Sequence, residues 1–213
     1  WVNKEAARIV QVCSRELDKS ACYEQEVPAQ YGAHSVLELF KVVRLIRKMD
    51  PLYQFCHVLA HKIGERVVAD DPAGWLDAIP LNPSDGLCSN GFIHGVVGGR
   101  FRSEVLDEKT MEASIPDFTK ACAPRPNWMP SDLDRAICSH GMGHLYVFIT
   151  DANLPKALSI CERTMPEGFR RVCREGVFMQ IYQPLEPDDF LLIDRMPVKP
   201  TRDTYRSFCA RFS

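Results

Sequence analysis

The stretch "CSHGMGH" (138–144) sets His140 and His144 four residues apart, with Gly141 and Gly143 between them and Cys138 two residues ahead of the first ring. On a helix that spacing places both rings on one face, about 6 Å apart along the axis. Each glycine costs about 1 kcal/mol against alanine in a helix, so the stretch alone reads equally as a glycine-broken loop. Its relatives decide. Cys88, Cys138 and Cys173 each open a C-x-x-G run, giving "CSNGFIH", "CSHGMGH" and "CREGVFM". Aligned on these cysteines, the i,i+4 pairs are Asn90/His94, His140/His144 and Glu175/Met179. The run "CHVLAH" (56–61) joins them when aligned on His57 and His61, with its cysteine displaced by one. Five of the six histidines thus fall on equivalent positions, and His34 alone stands outside.

Around these runs helical periodicity dominates and strand signals are weak. "SVLELFKVVRLIRKM" (35–49) carries helical apolar spacing behind Ser35, and "DPLYQFCHVLAHKIGERVV" (50–68) opens on Asp50 and Pro51, an N-cap and first-turn pair. "PAGWLDAIPL" reads as a short helix or turn before "SDGLCSNGFIHGVVGGRF" (84–101). "SIPDFTKACA" (114–123) precedes "PSDLDRAICSHGMGHLYVFI" (130–149), entered through Ser131 or Asp132. "PKALSICERT" (155–164) precedes "PEGFRRVCREGVFMQIY" (166–182), with Pro155 and Pro166 suited to first turns. The order is short helix, turn, longer helix, four times over. The expected fold is therefore all-α: one domain over 1–213 of repeated antiparallel αα-hairpins, a solenoid or partly closed toroid, braced by disulfides. The hairpins are 35–68, 72–101, 114–149 and 155–182, and 185–213 begins a further, truncated one.

A net charge of −2 offers no basic footprint for nucleic acid, and no apolar run approaches the length of a membrane span. The chain opens on Trp1 rather than methionine, as expected of a segment trimmed from a longer or membrane-anchored protein. Nine cysteines without any C-x-x-C pair read as disulfides of an extracytoplasmic protein, whether periplasmic, cell-surface or secreted. In the third and fourth hairpins a cysteine ends the first helix and another lies on the second, pairing Cys122 with Cys138 and Cys161 with Cys173. Cys13 with Cys22 is a local analogue, which leaves Cys56 for Cys88 and Cys209 without a partner; spacing alone does not fix these connectivities.

If the longer helices face a common centre, the i,i+4 pairs make two layers: His57, Asn90, His140 and Glu175 in one, His61, His94, His144 and Met179 in the other. Imidazole suits copper, zinc and iron, so His57, His61, His94, His140, His144 and Met179 are the candidate ligands, with methionine leaning towards copper. Glu175 is the candidate further ligand or general base of a metal-dependent oxidoreductase or hydrolase. Haem fits less well, since no C-x-x-C-H attachment run is present. Gly91, Gly95 and Gly99 recur every four residues and imply close helix approach, or a planar cofactor against the backbone. The acidic runs "ERVVADDPAGW" (65–75) and "EPDDF" (186–190) read as solvated helix ends. Two other classes compete: a disulfide-braced scaffold that binds a partner protein without chemistry, in which the histidines bond neighbouring loops, and a metal carrier or sensor with ligands but no substrate pocket. The partner, small molecule or protein, is not specified by the sequence.

Through "CHVLAHKIGE", "CSNGFIHG", "CSHGMGH" and "CREGVFM" the chain resembles uncharacterised microbial helical-repeat proteins with CHxxxH, CxxGxxHG and CxHGxGH blocks, over roughly residues 50–182. That resemblance implies the repeat and no particular activity. Asn90, Glu175 and Met179 stand where a histidine would complete the pattern, which makes the expected site asymmetric.

Overall fold

Local signals set most of the helices in the computed structural model, which describes residues 1–101, 105–196, 206, 207 and 210. Ser35 and Glu38 form a reciprocal capping box that starts α3 (Val36–Met49), after α1 (Val2–Cys13) and α2 (Lys19–Glu26). α4 (His57–Asp70) follows, then the one-turn α5 (Trp75–Ala78) and α6 (Gly91–Phe101). Asp107 caps α7 (Glu108–Ala121) through the Thr110 N–H, and Ser131 caps α8 (Asp132–Ile149) through the Asp134 N–H. Asn153 caps α9 (Leu154–Thr164) with Pro155 in its first turn. α10 (Glu167–Tyr182) and α11 (Pro187–Asp194) complete the set. Among the described residues there are eleven α-helices and no strand, only the isolated bridges Tyr31–His34 and Arg125–Trp128. The all-helical expectation holds.

Three boundaries differ from the sequence reading. Asp50 does not open α4. Its N–H donates to the Ile46 carbonyl, closing α3, and its carboxylate accepts from the Tyr23 hydroxyl at 2.9 Å. The side chain is thereby committed to the core before it can cap, and α4 starts six residues beyond Pro51. Cys88 does not lie in a regular helix start either. Cys88, Ser89 and Asn90 all take left-handed backbone angles (φ 56°, 51° and 60°) in a tight turn ahead of α6. α7 begins six residues earlier than the 114–123 segment, with Pro116 inside it, because Asp107 supplies the cap.

The chain divides into two compact units, Trp1–Arg100 with Ala123–Asp134, and Phe101–Cys122 with Arg135–Ser213. In the first, Ile9, Leu39, Phe40, Ile46, Leu59 and Ile63 are fully buried or nearly so, and Phe40 meets Phe92 edge-on at 5.7 Å. α6 is buried almost all round through Phe92, Ile93, Val96 and Val97, which is why its sequence lacks a polar stripe. In the second, Phe118, Met142, Tyr146, Ile160 and Val177 form the core, with the buried Tyr146 hydroxyl bonded to Thr164 at 2.8 Å. Four disulfides, Cys13–Cys22, Cys56–Cys88, Cys122–Cys138 and Cys161–Cys173, each close within one unit. Cys122–Cys138 and Cys161–Cys173 are the pairs that hairpin order suggested, and Cys13–Cys22 and Cys56–Cys88 those left by analogy and remainder; Cys209 lies outside the described residues. No described helix is long and apolar enough to cross a membrane.

Candidate metal centre

α4 and α6 approach so closely that side chains do not fit between them. A methyl added at Gly95 would stand 2.6 Å from the His61 Cα and closer still to its carbonyl oxygen, and one at Gly91 would meet the His57 carbonyl. The glycine spacing is thus explained by helix contact, as one of its two readings expected. That contact brings the rings of α4 and α6 together. His57, His61 and His94 each place a ring nitrogen within 4.8 Å of the others. The His57 and His61 Nε2 atoms are 3.0 Å apart, and the His94 ring centroid lies 5.2 Å and 5.3 Å from theirs.

Two nitrogens 3.0 Å apart, each bonded to one ion at about 2.0 Å, subtend roughly 97° at it, within reach of tetrahedral geometry after slight adjustment. His57 is oriented from behind. Its Nδ1 lies 3.1 Å from the Cys88 carbonyl, and since a carbonyl only accepts, Nδ1 carries the hydrogen and Nε2 the lone pair. This is the outer-shell arrangement that fixes the tautomer of a ligating histidine. The Cys56–Cys88 bridge anchors that carbonyl at the left-handed turn, so backbone strain at residues 88–90 coincides with the positioning of His57. Beside His57 opens a cavity of about 600 Å³, lined by Arg44, Arg47, Lys48, Phe55 and Asp85 among others. Arg44 is paired with Asp85 at 2.7 Å, and Arg47 bonds Gln54 at 3.2 Å.

The second unit brings His140, His144 and Met179 together. His140 Nε2 lies 3.1 Å from His144 Nε2 and 3.3 Å from the Met179 sulfur. Burial pushes the His140 imidazole down in pKa, outweighing the Glu175 charge and the Val172 carbonyl that favour its protonated form. Glu175 itself is half exposed and accepts from Arg171 at 3.0 Å. Asn90 accepts from Asn82 at 2.9 Å. The two layers drawn from i,i+4 spacing are not what the rings adopt: His57 turns onto His61 and His140 onto His144, because one turn of rise is shorter than two imidazoles can span. His34 stacks on Trp1 at 3.4 Å, apart from both groups in sequence and in contacts.

Sequence reasoning missed Gln180 and Asp189. Gln180 holds His144 Nδ1 at 2.6 Å and donates to Asp189 at 2.7 Å, and both are buried. Asp189 belongs to the "EPDDF" run read as a solvated end; a polar Gln on the inner face of α10, one residue after Met179, was the available signal.

No protein-family model matches the chain, and no curated protein or solved structure does. The fold and the site together define the class: an all-helical, disulfide-braced chain with a group of three histidines able to hold a metal ion.

Proposed function

We propose that this is an extracytoplasmic metal-binding protein in which His57, His61 and His94 hold one transition-metal ion. The observation that carries the reading is convergence of three ring nitrogens within 4.8 Å from two helices, with the His57 tautomer pinned by the Cys88 carbonyl. Three nitrogens leave a coordination position open, the arrangement that catalytic zinc sites share. The neighbouring cavity presents Arg44, Arg47 and Lys48, so the exogenous ligand suited to that position is a small anion. Copper and iron also accept imidazole, and the ligand set does not separate them from zinc. Four disulfides support the oxidising compartment.

The hairpin repeat is the architectural half of the same reading. In the first unit Gly91 abuts the His57 carbonyl, and in the second Gly176 abuts the His140 carbonyl. Each glycine ends a C-x-x-G run, and each carbonyl belongs to the first histidine of an H-x-x-x-H pair. A duplicated unit of histidine helix plus C-x-x-G helix accounts for both.

The test is calorimetric titration of the oxidised full chain with zinc and with divalent copper, alongside His61→Ala and His94→Ala. Tight binding of one ion, weakened at least tenfold by either substitution, is expected. A dissociation constant weaker than about 1 mM for both metals, or affinity unchanged by both substitutions, refutes the reading.

A further inference from the structure

Outside the three-histidine group, the strongest cluster is the one formed by α8 and α10. Its donor atoms are oriented by a chain of buried hydrogen bonds. Asp189 accepts the Leu185 and Glu186 N–H groups on one oxygen, at 2.8 Å and 2.9 Å. Its other oxygen takes the Gln180 amide at 2.7 Å. A carboxylate so surrounded is an acceptor, so the NH₂ end of Gln180 faces it and the amide oxygen faces His144. His144 Nδ1 therefore donates to Gln180, which leaves Nε2 as the ring's acceptor nitrogen, directed at His140. His140 Nε2 is turned to both His144 and Met179.

Two imidazole nitrogens thus face one another at 3.1 Å, with a thioether sulfur 3.3 Å from one of them. Two ring nitrogens and a sulfur brought this close are donors that a single metal ion can join. With bonds of about 2.0 Å to nitrogen and 2.3 Å to sulfur, these separations subtend roughly 100° at the ion for both His140–His144 and His140–Met179. The position of the sulfur is also informative. Met179 follows Gly176 by three residues, as His94 follows Gly91, so it stands where the first unit has its third histidine. Thioether is a poor zinc ligand and a good one for monovalent copper.

We infer that His140, His144 and Met179 form a second metal site, selective for monovalent copper, with Gln180 and Asp189 as its outer shell. It stands on a different cluster from the three-histidine site and does not require that site to bind. Gln180 is a positioning residue: it holds the His144 tautomer and touches no metal.

The full chain carrying His94→Ala, which disables the first site, is titrated anaerobically with monovalent copper against a chromophoric chelator, and the bound copper is examined by X-ray absorption. One copper per chain with a sulfur neighbour at about 2.3 Å is expected. Adding Met179→Leu, a volume-conserving change, should abolish the sulfur signal and weaken binding at least tenfold; Met179→His should restore binding with nitrogen alone. Gln180→Leu should cost about 10–100-fold in affinity while the sulfur signal persists. Absence of copper from the His94→Ala protein, or copper bound without sulfur, overturns the inference. A proton shared between the two rings in place of copper gives the first of these results. Failure of the three-histidine reading appears separately, as zinc binding indifferent to His94→Ala in an otherwise wild-type chain.

Discussion

Replacing Gly95 with alanine separates the helix-contact argument from ordinary helix propensity, because Gly98 on the same helix supplies the control. A methyl at Gly98 meets nothing within 4 Å, so Gly98→Ala gains only the propensity term, about 1 kcal/mol of stabilisation. A methyl at Gly95 meets the Cα, carbonyl carbon and carbonyl oxygen of His61, none of which can rotate aside as a side chain would. α4 and α6 must move apart by about 1–1.5 Å to restore a normal separation of about 3.5 Å. Overpacking of this kind costs about 1–3 kcal/mol, and the upper half applies because the opposing atoms are backbone. Subtracting the shared propensity gain leaves Gly95→Ala destabilised by about 1–2 kcal/mol, so the two variants should differ by about 2–3 kcal/mol. At about 2–4 °C per kcal/mol that is a gap of about 4–12 °C in Tm, read by circular dichroism on the metal-free protein. The same displacement carries His94 away from His57 and His61, so zinc affinity should fall in Gly95→Ala and stay put in Gly98→Ala. Equal melting temperatures, or a Gly95→Ala protein more stable than Gly98→Ala, would refute the claim that the glycine exists for helix contact.

Three further outcomes follow from the same structure. The Cys56–Cys88 bridge spans 32 residues and, on the chain-entropy model, removing it as the double Ser variant should cost about 3.7 kcal/mol in chemical denaturation, against about 2.7 kcal/mol for Cys13–Cys22; only the former should also weaken metal binding, since it anchors the carbonyl behind His57. Metal at about 100 times its dissociation constant should stabilise the first unit by about 2.7 kcal/mol, reversibly on chelation, and an unchanged Tm would contradict binding to the folded state alone. Burial works against the Asp50 carboxylate, but the Tyr23 hydroxyl, Lys19 and the Leu52 N–H outweigh it and hold its pKa below the ordinary 3.8. Its contribution is therefore fully present above that ordinary value and is lost as pH falls through the depressed one; Tyr23→Phe, expected to cost about 1.5–3 kcal/mol at neutral pH, should cost measurably less near pH 2.

What the sequence carried, and what it hid, divides along the range of the interaction. Caps at Ser35 and Ser131 were legible because a cap is a contact across three residues. Cys122–Cys138 and Cys161–Cys173 were suggested by hairpin order, because each closes a short loop between neighbouring helices. Asp50 was misread because its decisive partner, Tyr23, is 27 residues away, and no local pattern announces it. The histidine cluster was legible as a set of positions but not as a geometry. Spacing along a helix says which face a ring leaves from; it does not say that His57 will bend towards His61, because that depends on the Cys88 carbonyl behind it. The same applies to Gln180, whose role appears only once Asp189 is seen to be buried.

The C-x-x-G run binds two requirements to one short stretch. Its glycine removes the side chain that would hold the helix off the carbonyl of the first histidine in its partner, at Gly91 against His57 and at Gly176 against His140. Its cysteine ties the run to a neighbouring helix: Cys88, ahead of α6, to Cys56 at the start of α4, and Cys173, midway along α10, to Cys161 on α9. Three residues beyond each glycine comes the side chain that completes the cluster, His94 or Met179. In the first unit backbone contact and disulfide both join the histidine helix to its partner, whereas in the second the contact joins α8 to α10 and the disulfide ties α10 to α9. On the duplication and metal binding proposed above, exchange of the residue three beyond the glycine would change metal preference without disturbing the packing, since histidine and methionine leave from the same position relative to the glycine. The two clusters share an H-x-x-x-H pair and a glycine set against the carbonyl of its first histidine, and they differ in the third side chain.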